Sequence, residues 1–219
     1  MTSTITQPAP RRVHLIRHGE TNWNHERRAQ GQQESVLTED GKAQARALAA
    51  KLIAVPIEEV YCSSSQRTRQ TTELLFGQRG ITVAYCDLLR EIHMGSWEGS
   101  LYRDIEAQHP EQFRAFWHEP HRFRVDGAET FSELQQRAVT RFLDILESSK
   151  AQHIAIVSHG AWIKALLCHI EARPLAGLWQ PPAMHNCAHS VVEVLADGSQ
   201  HIRVYANQPY PVTVAAAPV

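Results

Sequence analysis

Val13-His14-Leu15-Ile16-Arg17-His18-Gly19 and Ile154-Ala155-Ile156-Val157-Ser158-His159-Gly160 share one layout. In each, a short and mostly apolar run reads as a buried strand. Each run ends on a histidine followed by glycine, and the second passes directly into Ala161 to Ile170, a mostly apolar helix. The glycine lets another group approach the backbone closely. In open α/β sheets ligands bind at the carboxyl ends of the strands. Both histidines are therefore placed at a candidate binding edge.

The segments around these runs fit the same plan. Glu59 to Cys62 is a short strand that leads through Ser63-Ser64-Ser65-Gln66-Arg67 into a helix ending near Phe76. Thr38 caps a helix with Glu39 and Asp40 in its first turn and Ala45, Leu48, Ala49, Leu52 and Ile53 as its apolar stripe; Pro56 stops it. Ile81 to Tyr85 is a further strand, followed by a glycine-spaced loop from Leu89 to Gly99. Thr130-Phe131-Ser132-Glu133 is a capping box, and the helix behind it carries Phe131, Leu134, Ala138, Phe142 and Leu146 on one face. Val191 to Leu195 and His201 to Tyr205 flank Asp197-Gly198, which predicts a hairpin with a two-residue turn. Strands alternating with helices predict a layered α/β domain with a mostly parallel sheet.

Thr21 to Val36 is polar and irregular and reads as a functional loop. The stretch 100–127 lacks strand signals and reads as a helical cap broken at Pro110. The expected organisation is a flexible arm over 1–10, a single domain over 11–206 that includes the cap, and a tail over 207–219.

Composition narrows the function classes. The 219 residues are 43% hydrophobic and 21% charged, ordinary globular usage for one domain. A net charge of −1 from 22 basic and 23 acidic residues leaves no global field toward nucleic acid or membrane. The polar start, Met1 to Pro10, does not read as a secretory signal, and no apolar run is long enough for a membrane span. Cys62, Cys86, Cys168 and Cys187 form no C-x-x-C pair and read as reduced thiols of a cytoplasmic protein. The unusual count is 13 histidines. Histidine titrates near neutrality, binds metals and attacks phosphorus.

Three segments thus deliver His18, His159, Arg17 and Arg67 to one rim. That set suits a phosphoryl group: a neutral imidazole can attack phosphorus, and fixed cations stabilise the charge spread over its oxygens. A leaving alkoxide also needs a proton donor, and Glu91, just after a strand, is the candidate. The alternative, a zinc enzyme, would draw its ligands from the histidine surplus at no recognisable spacing. His14 reads as a hydrogen-bonded strand residue and Arg69 as a helix-surface arginine. His185 and His189, on either side of Asn186, read as structural. Phe113, Phe116 and Trp117 read as the core of the cap. Arg122 and Arg124, in the cap, are the candidates for meeting a second anionic group.

At these residues the chain resembles the histidine phosphatase superfamily, the phosphoglycerate mutase-like group. The resemblance runs through Arg17-His18-Gly19-Glu20-Thr21-Asn22-Trp23-Asn24, Gln30-Gly31, Leu37 to Ala45, Ser63 to Thr71, Leu89 to Gly99, Gly127-Ala128-Glu129-Thr130 and Val157-Ser158-His159-Gly160. It implies a three-layer α/β/α sandwich with a mostly parallel central sheet and a small helical cap insertion. It implies that His18 becomes phosphohistidine, that Arg17, Arg67 and His159 complete the phosphate pocket, and that Glu91 is the general acid. Asn24, Gln30, Gly31, Gly160 and Ala161 match positions that line the substrate site in relatives. No metal or other cofactor is implied. The chain departs from the group's pattern at Glu34-Ser35-Val36, at Thr68, and at Ala128 and Thr130.

The expected activity is metal-independent hydrolysis of a small phosphorylated metabolite, as in histidine acid-type phosphatases of the broad phosphatase branch. Mutase-type phosphoryl transfer is the alternative, and a non-catalytic phosphate-binding module a third reading. The expected partner is the metabolite, not nucleic acid or membrane; a homodimer is left open.

Overall fold

A computed structural model describes residues 9–210. The expected arm (residues 1–8 of it) and most of the expected tail (211–219) lie outside the described residues. In chain order the elements are β1 (Arg11–Arg17), α1 (Asn22–His25), α2 (Glu39–Leu52), β2 (Glu59–Ser63), α3 (Gln66–Phe76), β3 (Val83–Cys86), α4 (Tyr102–Gln108), α5 (Pro110–His118), α6 (Phe131–Ser148), β4 (His153–Ser158), α7 (Gly160–Ile170), β5 (His189–Val194), β6 (Gln200–Tyr205) and β7 (Gln208–Pro209). The strands form one sheet in the order β3-β2-β4-β1-β5-β6-β7. The first four in that order are parallel, and β5, β6 and β7 add antiparallel at one side.

Side chains on a strand alternate between faces, and this alternation builds the layers. Val13 and Leu15 of β1 and Ile154 and Ile156 of β4 join one apolar cluster with Phe131, Leu134, Ala138 and Phe142 of α6 and Trp162, Ile163 and Leu166 of α7. Ile16, Ala155 and Val157 face the other way, onto Ala45, Leu48 and Leu52 of α2 and Leu75 and Phe76 of α3. Each fully buried side chain of this size contributes roughly 1.5–3 kcal/mol, so the sheet is held from both faces. The expected three-layer α/β/α class is the observed one. Thr38 and Thr130 cap α2 and α6 as expected, the latter with Glu133 in a capping box.

Register places the rim. Arg17 of β1 lies opposite Ser158 of β4, and Cys62 of β2 opposite Val157. The chain therefore leaves all three strands at one level, with His18, His159 and the start of α3 side by side.

Two expectations need correction. The hairpin connection is longer than two residues: Gly198 donates to Leu195 O and Leu195 to Ser199 O, so Ala196 to Gly198 form the loop. Gly198 takes a φ of +84°, the left-handed conformation that closes such three-residue turns. The expected tail also begins in the sheet, because Tyr205 pairs with Gln208 and Val204 with Pro209.

His14, buried, and His189 and His153, half-buried, form a chain across three neighbouring strands. His14 Nδ1 lies 3.0 Å from His189 Nε2, and His14 Nε2 lies 3.2 Å from His153 Nδ1. Burial, then the neighbouring rings, pulls His14 down to about 3, and burial pulls His189 to about 4. Both stay neutral in the fold at pH values where the unfolded chain, near 6.5, takes up protons. Their stabilisation is present above that value and is lost as pH falls toward the folded values. Between pH 7 and pH 5 each is expected to cost about 2 kcal/mol of stability. Denaturant titrations at both pH values check this: His14→Phe with His189→Leu should flatten the dependence, and an unchanged slope in that variant would assign it to other groups.

Candidate active site

His18 is buried at the end of β1, and its Nδ1 lies 2.7 Å from the Gly19 carbonyl oxygen. A carbonyl only accepts, so Nδ1 carries the proton and Nε2 keeps a lone pair. Burial, then the charges of Arg67 and Arg17, hold the ring well below the usual histidine range. At neutral pH it is a fixed, neutral imidazole. The Gly19 N–H donates to Thr71 Oγ1 of α3 at 3.1 Å, which pins the turn. The close approach allowed at Gly19 serves the protein backbone and not a ligand: a Cβ there would meet the Gly41 carbonyl of α2 at 2.6 Å.

Arg67, in the first turn of α3, is 1% exposed and anchored by every nitrogen. Nη2 donates to Gly31 O at 2.7 Å, Nη1 to Gln33 O at 2.8 Å and Nε to His159 Nδ1 at 3.2 Å. Each Nη keeps a second proton for a ligand. Because Arg67 can only donate, His159 Nδ1 is the acceptor, and its Nε2–H donates to Ser63 Oγ at 2.7 Å. His159 is thus also neutral, held below the usual range by burial and by Arg67. Its ring lies 5.3 Å from that of His18, centroid to centroid, but it stands behind Arg67 and does not line the cavity.

Arg17 donates through Nη1 to Met184 O at 2.5 Å, and its buried Nε has no partner among the described residues. Burial lowers both arginines, Arg67 to about 10, while Glu91 opposes the shift. Both remain cations at neutral pH. A buried guanidinium, Arg67, and a half-buried one, Arg17, facing one carboxylate leave a net positive hole, which an anion would neutralise.

Glu91 caps a helix that has no cap of its own, since the His159 side chain makes none. Its Oε1 accepts from Trp162 N at 3.1 Å and Ile92 N at 3.0 Å, and its Oε2 from Ala161 N at 3.1 Å. With one bond only, Oε2 keeps a lone pair.

Arg17, His18, Arg67 and Glu91 line one cavity of about 360 Å³ together with Asn24, Gln30, Gly31, Gly160 and Ala161. Asn24 Oδ1 accepts from Thr21 N, and Gln30 Oε1 from Ser35 Oγ at 2.7 Å. The amide carbonyls are spent internally, which leaves the NH2 groups for a ligand. Gly31 sits at φ +50°, and a Cβ there would run into the Glu98 carboxylate. Only glycine fits, and its carbonyl is one of the anchors of Arg67.

The far wall was not legible in the sequence. Ile92, Met94, Tyr102, Phe116, Trp117, Trp179, Ala183, Met184 and Lys164 complete the cavity. Phe116 and Trp117, expected to be cap core alone, also line it. Arg122 and Arg124, the candidates for meeting a second anionic group, do not line this cavity. Arg122 pairs with Glu119 at 3.0 Å, Arg124 bonds Phe123 O, and both are exposed away from the cavity. Arg103 and Arg114 pair with Asp104 and Glu119. The cap's charges solvate its outer face, where they cost no desolvation, and its rings turn inward. Asn186, beside His185 and His189, was also passed over: its Nδ2 donates to Asn24 Oδ1 at 3.1 Å.

A family model described as the histidine phosphatase superfamily, branch 1, matches residues 13–208. The chain belongs to this superfamily. It is similar to Phosphoserine phosphatase 1 of Hydrogenobacter thermophilus, 29% identical over 180 residues that cover 82% of this chain and 85% of that protein. It is similar to Phosphoglycerate mutase-like protein 4 of Arabidopsis thaliana, 34% identical, covering 74% and 71%. Among solved structures it matches Bacillus stearothermophilus YhfR with a TM-score of 0.87 and 37% identity, covering 91% of this chain and 98% of that one.

Within this superfamily, the chain's departures from the expected pattern take part in local bonds. Ser35 orients Gln30, and Glu34 Oε2 accepts from Gln66 N at 2.6 Å. Thr68 Oγ1 donates to Ser65 O at 2.7 Å in the first turn of α3. Thr130 supplies the cap of α6, and Glu129 before it pairs with Arg137 at 2.7 Å. All four cysteines are free thiols. No helix among the described residues is long and apolar enough to cross a membrane.

Proposed function

We propose that the chain is a metal-independent phosphomonoesterase that works through a phosphohistidine at His18. The observation that carries this reading is the convergence of a neutral His18, the two guanidinium groups of Arg17 and Arg67 and the Glu91 carboxyl on one cavity. His18 Nε2 attacks phosphorus and the phosphorus–oxygen bond to the alcohol breaks. Glu91, protonated at that stage, gives its proton to the departing oxygen. As carboxylate it then takes a proton from the water that attacks the phosphohistidine, which releases phosphate and restores His18. Arg17 and Arg67 face the phosphoryl oxygens throughout and supply the charge a metal ion otherwise would.

The far wall favours hydrolysis over mutase transfer. A mutase holds a substrate with a second anionic group and excludes water from the phosphoenzyme. Here the cap turns Arg103, Arg114, Arg122 and Arg124 outward and presents Phe116 and Trp117 to the cavity, and the far wall's Lys164 is engaged by the Gln180 and Pro182 carbonyls. That lining suits an apolar alcohol half. The proposed partner is such a small phosphorylated metabolite in the cytoplasm.

The test supplies 3-phosphoglycerate with a trace of the bisphosphorylated primer, and separately a panel of phosphate monoesters, each with and without a chelator. Free phosphate should appear from the monoesters equally in both conditions, with little 2-phosphoglycerate formed. Fast isomerisation with little phosphate would establish the mutase instead, and activity lost to the chelator and restored by zinc or magnesium would establish a metal enzyme.

A further inference from the structure

Lys164 is the one lysine or arginine in α7, and it is 2% exposed. A buried ammonium costs several kcal/mol unless it is paired and hydrogen-bonded. Among the described residues this one makes no ion pair. Its Nζ donates to Gln180 O at 2.5 Å and Pro182 O at 3.1 Å, and lies 5.2 Å from the ring centroid of Tyr205. Burial, then Arg173, pulls it down to about 8.

The segment it grips is the long connection from α7 to β5. Between Leu178 and His189 that connection has no regular element. Its backbone groups must therefore find partners elsewhere. Trp179 Nε1 donates to Phe116 O at 2.5 Å, which ties the start of the segment to the cap. Lys164 ties its middle to α7. Its end, Met184 O, receives Arg17 Nη1. Trp179, Ala183 and Met184 line the cavity, as does Lys164.

The two guanidinium groups are held very differently. Arg67 is anchored through all three nitrogens. Among the described residues Arg17 has Met184 O as its hydrogen-bond partner, with its buried Nε unpartnered. The aim of Arg17 thus depends on where the backbone at 184 lies. Lys164 holds that backbone two residues upstream.

We propose that Lys164 is a positioning residue, which fixes the 180–184 backbone and through Met184 O aims Arg17 at the phosphoryl group. It rests on the reading of the cavity as a phosphate site. It adds a residue of the far wall that sets phosphate affinity through Arg17.

The test is a double-mutant cycle on inorganic phosphate binding, read by phosphorus NMR titration in wild type, Lys164→Met, Arg17→Met and the double variant. Lys164→Met is expected to weaken binding about 10-fold, the size of one charge-assisted hydrogen bond. In the Arg17→Met background the same substitution should change affinity less than about twofold, because its effect passes through Arg17. Equal losses in both backgrounds, or none in the wild-type background, would overturn the proposal. Lys164→Gln keeps a donor for the carbonyls and should recover part of the affinity. It also carries the cycle if Lys164→Met does not fold. Because the readout is binding, coupling without ester hydrolysis would uphold the role of Lys164 and overturn the phosphatase reading. A wild-type chain that binds no phosphate would overturn both.

Discussion

Replacing His18 with asparagine should abolish turnover and leave the protein folded. The asparagine amide can still donate to the Gly19 carbonyl, as Nδ1 does at 2.7 Å, but it offers no lone pair in place of Nε2. His18 ends a strand at the rim and belongs to neither apolar cluster, so stability changes little. Loss of a nucleophile that acts as a unit with its surroundings typically costs more than ~10⁴-fold in kcat. Rapid quenching after a labelled monoester should trap acid-labile phosphate on the parent and none on the variant. The low folded value of His18 also has a pH consequence: in the free enzyme the ring stays neutral well below pH 6.5. Phosphoenzyme formation should not fade at mildly acidic pH through protonation of this group. Full activity in His18→Asn would discard the covalent mechanism.

Glu91→Gln should separate substrates by leaving group. A general acid matters when the departing oxygen is strongly basic and contributes about 10²–10⁴-fold there. An alkyl phosphate should lose activity on that scale, while an aryl phosphate with an acidic phenol should lose within about tenfold. Glutamine can keep its carbonyl toward Trp162 N and Ile92 N, where Oε1 now accepts at 3.1 and 3.0 Å. Its NH2 then faces the Ala161 N–H and leaves that donor unpaired, at a cost of about 1–3 kcal/mol in stability. Melting curves measure that cost separately from the kinetics. Equal losses on both ester types would show that Glu91 shapes the end of α7 without donating a proton.

Much of the fold follows from neighbours in the chain. The apolar run from Val13 to Ile16, the Thr38 and Thr130 caps and the break at Pro110 each rest on a few adjacent residues, and the structure places them as that local chemistry demands. The rim followed too, because parallel strands in register must end at one level. His18, His159, Arg17 and Arg67 needed no distant contact to be singled out.

What local pattern could not supply was direction. An arginine in a cap helix reads the same whether it faces a cavity or water, and only packing of Phe116 and Trp117 against Trp179 turns the rings inward and the charges out. The tautomer of His159 follows from a guanidinium brought to it by folding, whereas that of His18 is set by the carbonyl of the next residue. Glu91 reaches the amino end of α7 across seventy residues of sequence. Lys164 drew no reading within its mostly apolar helix, and only the carbonyls at Gln180 and Pro182, brought by folding, show what holds it. Sequence determined which groups gather at the rim, because strand ends and caps are short-range properties. Tertiary structure decided which way each group points, because a buried donor or acceptor takes the partner that folding brings within reach.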